Sequence, residues 1–315
     1  MPEQCLNNPD HQMYKARRTE LHRWVFSQLE NDNSEWFADQ LSQLAQVTDL
    51  ANDTSARRQF DIAFGLIPRR IGKHALQLNA DEQTYAHSLL PHWQPWTWQL
   101  DEAARILLIL TAGNRSSQTT RIQSLLRHAD LSEQLAIFKG LSLYPVDNIL
   151  IEVVGDGLRT NMSDVFEAIA HNNPFPAKEF DEHRFNHMVL KALFIESPLH
   201  PIVGWEERNN PELTRMLLDY ASERVAAQRT VDWELWQMAA QNADEDMLYP
   251  FIPILSVAPE NVLDRLSQEG LLLALSTCTG VTPQQWIDEN LSELTTIDNT
   301  ISWENLLLKS KGIKH

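Results

Sequence analysis

Cysteine is almost missing from this chain. Cys5 and Cys278 are the only two in 315 residues. They are too few for a disulfide framework and too far apart for a metal-type spacing, which fits a reducing compartment. Long apolar runs are missing too. The longest, RILLILTAG and GLLLALSTC, fall well short of the roughly 20 residues that cross a bilayer. The opening MPEQCLNNPDHQ has no basic region followed by an apolar stretch, so it does not read as a signal peptide. Positive charge is scarce: 26 Lys and Arg stand against 43 Asp and Glu, a net charge of −17. That balance argues against a nucleic-acid or anionic-membrane partner, although a local basic cluster can still hold a small anion. No GxSxG, P-loop or GxGxxG occurs, so a nucleophile elbow and the common nucleotide-binding loops have no support. The expectation is a soluble, cytoplasmic protein without a transmembrane segment.

What the chain does have is an ordinary folded composition and helical periodicity. Hydrophobic residues make up 43% and charged residues 22%, enough for a packed core. Leu21, Trp24, Val25 and Leu29 share one stripe of a helix over 15–31. Phe37, Leu41, Leu44 and Ala45 share a second, opened by Asn33 or Ser34, and Phe60, Ala63, Phe64 and Ile67 a third. DEAARILLILTA, 101–112, is apolar nearly all round and predicts a buried helix, inside which Arg105 needs a partner. Shorter helices follow at 118–128, 132–141 and 146–158, with Asp130 and Glu133 spaced as a capping box. The β-branched run NILIEVV keeps a strand as runner-up for the last of these. Helices are again predicted at 210–228, 233–242, 246–255, 261–268 and 270–278, and Thr282, Pro283 and Gln285 form a further start signal. The end, SKGIKH, reads as a frayed tail. The expected fold is all-α: an irregular α-solenoid, a HEAT-like stack of short antiparallel helix pairs. It is expected as one helical domain over 1–315, with an N-terminal layer (1–112), a central region (113–230) and C-terminal helix pairs (231–315).

Three stretches carry chemistry. Arg69, Arg70 and Lys73 fall beside Gly72, between Pro68 and a helix starting near Asp81. Such a turn can cradle a phosphate or carboxylate, although on composition a solvated basic turn is the plainer reading. Trp93, Trp96 and Trp98 can stack on a ring or a sugar, but such clusters more often fill the space between helices. The third stretch is 159–208. Ser163, Glu167 and His171 share one column of a helix over 164–171, capped from Thr160 to Ser163. A Glu–His pair at that spacing can orient an imidazole or share a proton; otherwise it is an exposed i,i+4 pair. The prolines of NNPFP end that helix. The following helix, 185–195, is apolar nearly all round yet carries Asn186 and Lys191. A buried lysine needs an anionic partner, from the protein or from a ligand. His183 and His187 sit four apart next to Glu182, but there is no HExxH order and no third ligand at a fixed spacing. Surface or core histidines are therefore favoured over a metal site, which stays open as the second reading, and no cofactor is expected.

The run RTNMSDVFEAIAHNNPFPAKEFDEHRFNHMVLKALF, followed by SPLHPIVGWEERNNPELTRML, resembles the EboA family of the ebo gene clusters of bacteria and some algal plastids. PRRIGKHALQL and WTWQLDEAARILLIL are similar to the family's N-terminal signature, so the likeness covers roughly 60 to 230. The resemblance implies a part in making or exporting a small secondary metabolite, alongside proteins similar to UbiA-type prenyltransferases, dehydroquinate-synthase-like cyclases, sugar isomerases and TatD-like hydrolases. It implies no particular reaction, and whether the chain is an enzyme is left open. The positions it carries over are Arg69, Gly72, Lys73, Arg105, Arg159, Asn161, Glu167, Asn173, Pro174, Asn186, Lys191 and Arg208. His183 and His187 fall where the family pattern is expected to vary. On that basis Arg69, Arg70, Lys73, Arg105, Arg159, Asn161, His171, Asn173, Asn186 and Arg208 are expected to bind an anionic metabolite such as a phosphorylated sugar or cyclitol. Glu167 and Lys191 are expected to carry any acid–base step. The alternative is a non-catalytic scaffold that docks other ebo-cluster proteins.

Overall fold

The computed structural model describes residues 9–47, 50, 52–290 and 301–311. Cys5 and the last four residues of the SKGIKH end lie outside the described residues. The protein is all-α. Among the described residues there is no β-strand, only an isolated bridge between Ala75 and Gln99. The chain forms two compact units, Met1–Asp181 and Glu182–His315, whose boundary falls inside the central region expected over 113–230.

The first unit runs α1 (Pro9–Phe26), α2 (Asn31–Ala45), α3 (Thr54–Ile71), α4 (Ala80–Leu89), α5 (Leu100–Thr111), α6 (Gln118–Leu126), α7 (Leu131–Lys139), α8 (Asn148–Leu158), α9 (Ser163–Ala170) and α10 (Pro174–Glu179). Its centre is α5, in which every residue from Leu100 to Leu110 is buried. A helix without a polar face has to be surrounded, and α1, α2, α3 and α7 all pack on it. The apolar stripes of α1 and α3 supply Leu21, Trp24, Val25, Phe60, Ala63, Phe64 and Ile67 to the same core. Trp93 lies 5.4 Å from Trp24 and 6.2 Å from Trp98, ring to ring, so this tryptophan cluster fills core space.

Several local expectations change. Helix α3 does not stop before Pro68; it continues through Arg69 and Arg70 to Ile71 and ends at Gly72, whose φ of +91° suits glycine. The two arginines therefore occupy a helical last turn, where cations complement the carbonyl end of the helix. Helix α9 has Met162 at its N-cap, with no side-chain cap. The prolines of NNPFP start a helix: Pro174 opens α10 behind Asn173, which accepts the Phe175 N–H at 3.2 Å. NILIEVV is helical, as α8.

The second unit runs α11 (Glu182–Phe194), α12 (Trp205–Arg208), α13 (Pro211–Ala226), α14 (Trp233–Ala239), α15 (Glu245–Leu248), a 3-10 stretch (Tyr249–Ser256), α16 (Val262–Thr279), α17 (Pro283–Asn290) and α18 (Trp303–Ser310). The expected break near 269 is absent. A β-carbon on Gly270 would meet Trp233 Cβ, Trp233 O and Trp236 Cδ1, each at 3.2 Å. Gly270 thus marks where α14 presses on an unbroken α16, the helix on which α15, α17 and α18 also pack. Thr282 and Gln285 form the expected cap, exchanging bonds of 2.9 and 3.2 Å.

Candidate functional site

Within the first unit, the packing of α7 on both α5 and α9 leaves a cleft of about 290 Å³. Thr97 and Trp98, just before α5, form one side, and Leu135 and Lys139 on α7 form another. Asp164, Glu167 and Ala168 on α9, then His171, Asn172 and Asn173, complete the lining. Two structural features hold these groups in place. Lys139, in the last turn of α7, puts Nζ 2.7 and 2.8 Å from the two carboxylate oxygens of Glu102. Glu102 is itself the reciprocal capping residue of α5, accepting the Gln99 N–H at 2.8 Å. This ion pair ties the end of one helix to the start of another.

Asn173 is the second. Its Nδ2 donates to Phe138 O (3.0 Å) and Ala168 O (3.2 Å), while its Oδ1 accepts from Ser142 Oγ (3.1 Å) and Phe175 N (3.2 Å). An asparagine amide offers two donors and one carbonyl oxygen, so all its capacity is used inside the protein. Asn173 shapes the floor. Between it and α9, Asn172 takes a left-handed conformation (φ +49°) that asparagine tolerates, turning the chain so that His171 faces the cleft lining. The wall carries one lysine, already balanced by Glu102, together with the carboxylates of Asp164 and Glu167 and the imidazole of His171. Such a wall offers acceptors for hydroxyl or ammonium donors rather than a cationic socket.

The family described as metabolite traffic protein EboA matches residues 18–240. The chain belongs to the EboA family. No curated protein and no solved structure matches it. The EboA match covers the whole cleft and every site residue expected from the sequence, whereas α15 to α18 lie beyond it.

Within the EboA match, Glu167, His171 and Asn173 come together in the cleft. The other residues of the first unit do not line it. Arg69, Arg70 and Lys73 are exposed, with the Arg70 guanidinium 5.8 Å from the Trp36 ring centre. Arg105 is only 2% exposed. It meets Asp101 Oδ2 at 3.3 Å, Glu133 Oε1 at 4.0 Å, Ser132 Oγ at 3.3 Å and Phe64 O at 3.3 Å. Burial raises the Asp101 carboxyl above the usual aspartate range, opposed by Arg105 and Lys73. Arg159 is exposed and paired with Asp156 one turn back, and Asn161 is exposed.

Three expected residues belong to the second unit. Asn186 is buried and exchanges amide bonds of 3.0 and 3.2 Å with Asn210, the N-cap of α13. Lys191 is half-buried, and that burial lowers its pKa. The Arg208 guanidinium stands 4.9 Å from the Phe185 ring centre. The His183 and His187 rings lie 4.3 Å apart, tilted by 50°, on an exposed face. Among the described residues no group of three His, Cys, Asp or Glu is placed to hold a metal ion. Among the described residues no helix is long and apolar enough to cross a membrane.

Sequence reasoning did not find Lys139, Asp164, Thr97 or Trp98 as lining residues. Two of them left a trace: Trp98 in the tryptophan cluster, and Lys139 as a cation closing a helix opposite one with an acidic first turn.

Proposed function

We propose that this chain handles a small polar metabolite and holds it in the cleft between α7 and α9. The observation that carries this reading is the convergence of Glu167 and His171 with Asp164 and Lys139 on one cavity of about 290 Å³, just under the usual volume of drug-sized sites. The description of the family to which the chain belongs, a metabolite traffic protein, supports the same class of role. Carboxylates of Asp164 and Glu167 accept bonds from ligand hydroxyls, His171 adds a second polar contact, and Trp98 provides an apolar face. A hydroxyl-rich ligand of sugar or cyclitol size suits these groups. A phosphorylated form would bring its charge to a wall whose single lysine Glu102 already neutralises, so the neutral polyol is favoured over its phosphate.

Calorimetric titration of the full chain with myo-inositol, glucose and their monophosphates tests this. The reading expects at least one polyol to bind, more weakly as its phosphate. Leu135→Trp, which fills the cavity from a half-buried position, should remove that binding and leave the thermal transition in place. No polyol binding, or binding unaffected by Leu135→Trp, contradicts it.

A further inference from the structure

A second cleft, of about 760 Å³, lies wholly within the second unit. One wall is the end of α13 and the link to α14; the other is the segment that leads from the 3-10 stretch into α16. That second wall begins at Ile254, beyond the family match. The volume is within the range of sites that enclose drug-sized ligands.

Which groups are still available decides what such a cleft can bind. Gln268 Nε2 is engaged with Ile254 O (2.8 Å) and Val257 O (2.7 Å). Ser267 Oγ accepts the Trp236 indole N–H at 3.1 Å. Asp264 accepts from Thr230 Oγ1 and from the Glu260 N–H. Two arginines remain. Arg224 points Nε and Nη2 at Thr230 O, 3.0 and 2.8 Å away, and also meets the Tyr220 hydroxyl, so a carbonyl and a phenol rather than a carboxylate fix its guanidinium plane. Arg229 is exposed on the same wall. Among the described residues neither has a carboxylate within ion-pair distance, in a chain of net charge −17. Apolar surface that a closed core would have hidden lies on both walls: Val257 opposite them is 64% exposed, and Val225 beside Arg224 is 36% exposed. Two carboxylates share the lining, the exposed Glu260 and the half-buried Asp264.

We propose that this cleft binds an amphiphilic anion. A carboxylate or phosphate head meets the guanidinium groups of Arg224 and Arg229, where planar donors match planar or tetrahedral oxygens. A hydrocarbon body lies along Val225, Ile254 and Val257 and removes their exposed surface from water. The site is independent of the polyol cleft, and its failure would leave that reading untouched.

The test is calorimetric titration of the full chain with decanoate and decyl phosphate below their micellar concentrations, and with decanol as the uncharged control. The proposal expects at least one anion to bind, and decanol to bind about tenfold more weakly or worse, as loss of charge-assisted bonds predicts. Arg229→Ala and Val257→Glu change exposed side chains, so both variants should melt like the parent. Each should weaken anion binding, the second by about tenfold or more. A flotation assay with phosphatidylglycerol vesicles separates a free amphiphile from a lipid headgroup. No binding of either anion, decanol binding as tightly, or both variants binding like the parent would overturn the proposal. Flotation with vesicles without monomer binding would overturn it too, in favour of a membrane-surface contact.

Discussion

Arg105 Nε donates to the carbonyl oxygen of Phe64 at 3.3 Å. Phe64 is the residue four before Pro68, and Pro68 has no N–H with which to satisfy that carbonyl. A buried guanidinium thus replaces the hydrogen bond that a proline removes, and α3 runs on to Ile71. The same side chain neutralises Asp101 on its own helix. Arg105 therefore joins α3, α5 and the start of α7 from inside the core.

Removing that guanidinium should be costly. Arg105→Met leaves Asp101 buried and unpaired as well as freeing the Phe64 carbonyl, a loss of about 3–5 kcal/mol by analogy with other broken buried pairs. Adding Pro68→Ala should recover part of it, since the restored N–H can reach Phe64 O. Denaturant unfolding of the two single variants and the double variant measures the coupling; strictly additive losses would sever the link between Arg105 and Pro68.

Asp101 makes a pH prediction. Its carboxyl is raised by burial more than Arg105 and Lys73 lower it. A raised carboxyl binds its proton more tightly in the folded state, so its contribution is fully present below the ordinary aspartate range and is lost as pH rises through the folded value. Relative to Asp101→Asn, the parent chain should lose stability as pH rises through that window. Unfolding free energies compared at stepped pH check the sign, and a difference that stays flat would refute it.

Asp130 makes the opposite prediction. The backbone N–H of Glu133 is the main cause holding its carboxyl below the usual range, across a capping bond of 2.9 Å. Its contribution is present above the ordinary aspartate range and disappears as pH falls through the lower, folded value. Asp130→Ala should cost about 1 kcal/mol near neutral pH, as caps do. In thermal melts at descending pH that deficit should shrink toward the acid end; a constant deficit would contradict the assignment.

Asn173 should tolerate no isostere. Asn173→Asp retains the acceptor for Phe175 and Ser142 but turns an oxygen toward Phe138 O and Ala168 O, leaving two buried carbonyls without donors. Both Asn173→Asp and Asn173→Ala lose these two donors, at roughly 1–3 kcal/mol for each unmet group, but the aspartate also sets a buried negative charge against two carbonyl oxygens, so it should be the less stable near neutral pH. Thermal denaturation of both variants decides the order.

The all-α class was legible because periodicity survives without tertiary information. The stripe Phe60, Ala63, Phe64, Ile67 and the unbroken apolar run of α5 both proved buried, and the Asp130–Glu133 and Thr282–Gln285 spacings both proved to be caps. What misled was proline and glycine punctuation. Pro68 sits inside a helix because a residue 37 positions later, Arg105, meets its orphaned carbonyl. Gly270 sits inside a helix because Trp233 and Trp236 press there. Both depend on contacts distant in sequence. The site was legible to the same degree. Glu167 and His171 stand four apart, which spacing reveals, although His171 is the extended residue just past the end of α9 rather than part of its column. Lys139, Asp164 and Trp98 join them only through the packing of α7 on α5 and α9.

The most direct test of the polyol cleft is a nuclear magnetic resonance titration that follows imidazole Cε1–H signals as myo-inositol and glucose are added. The structure places His171 in the cleft lining, and His183 and His187 outside it on α11. The account predicts a saturable shift of the His171 signal with one of these polyols, absent in Leu135→Trp, while His183 and His187 stay still. A His171 signal that does not move with either polyol, or equal movement of all three histidines, would contradict it.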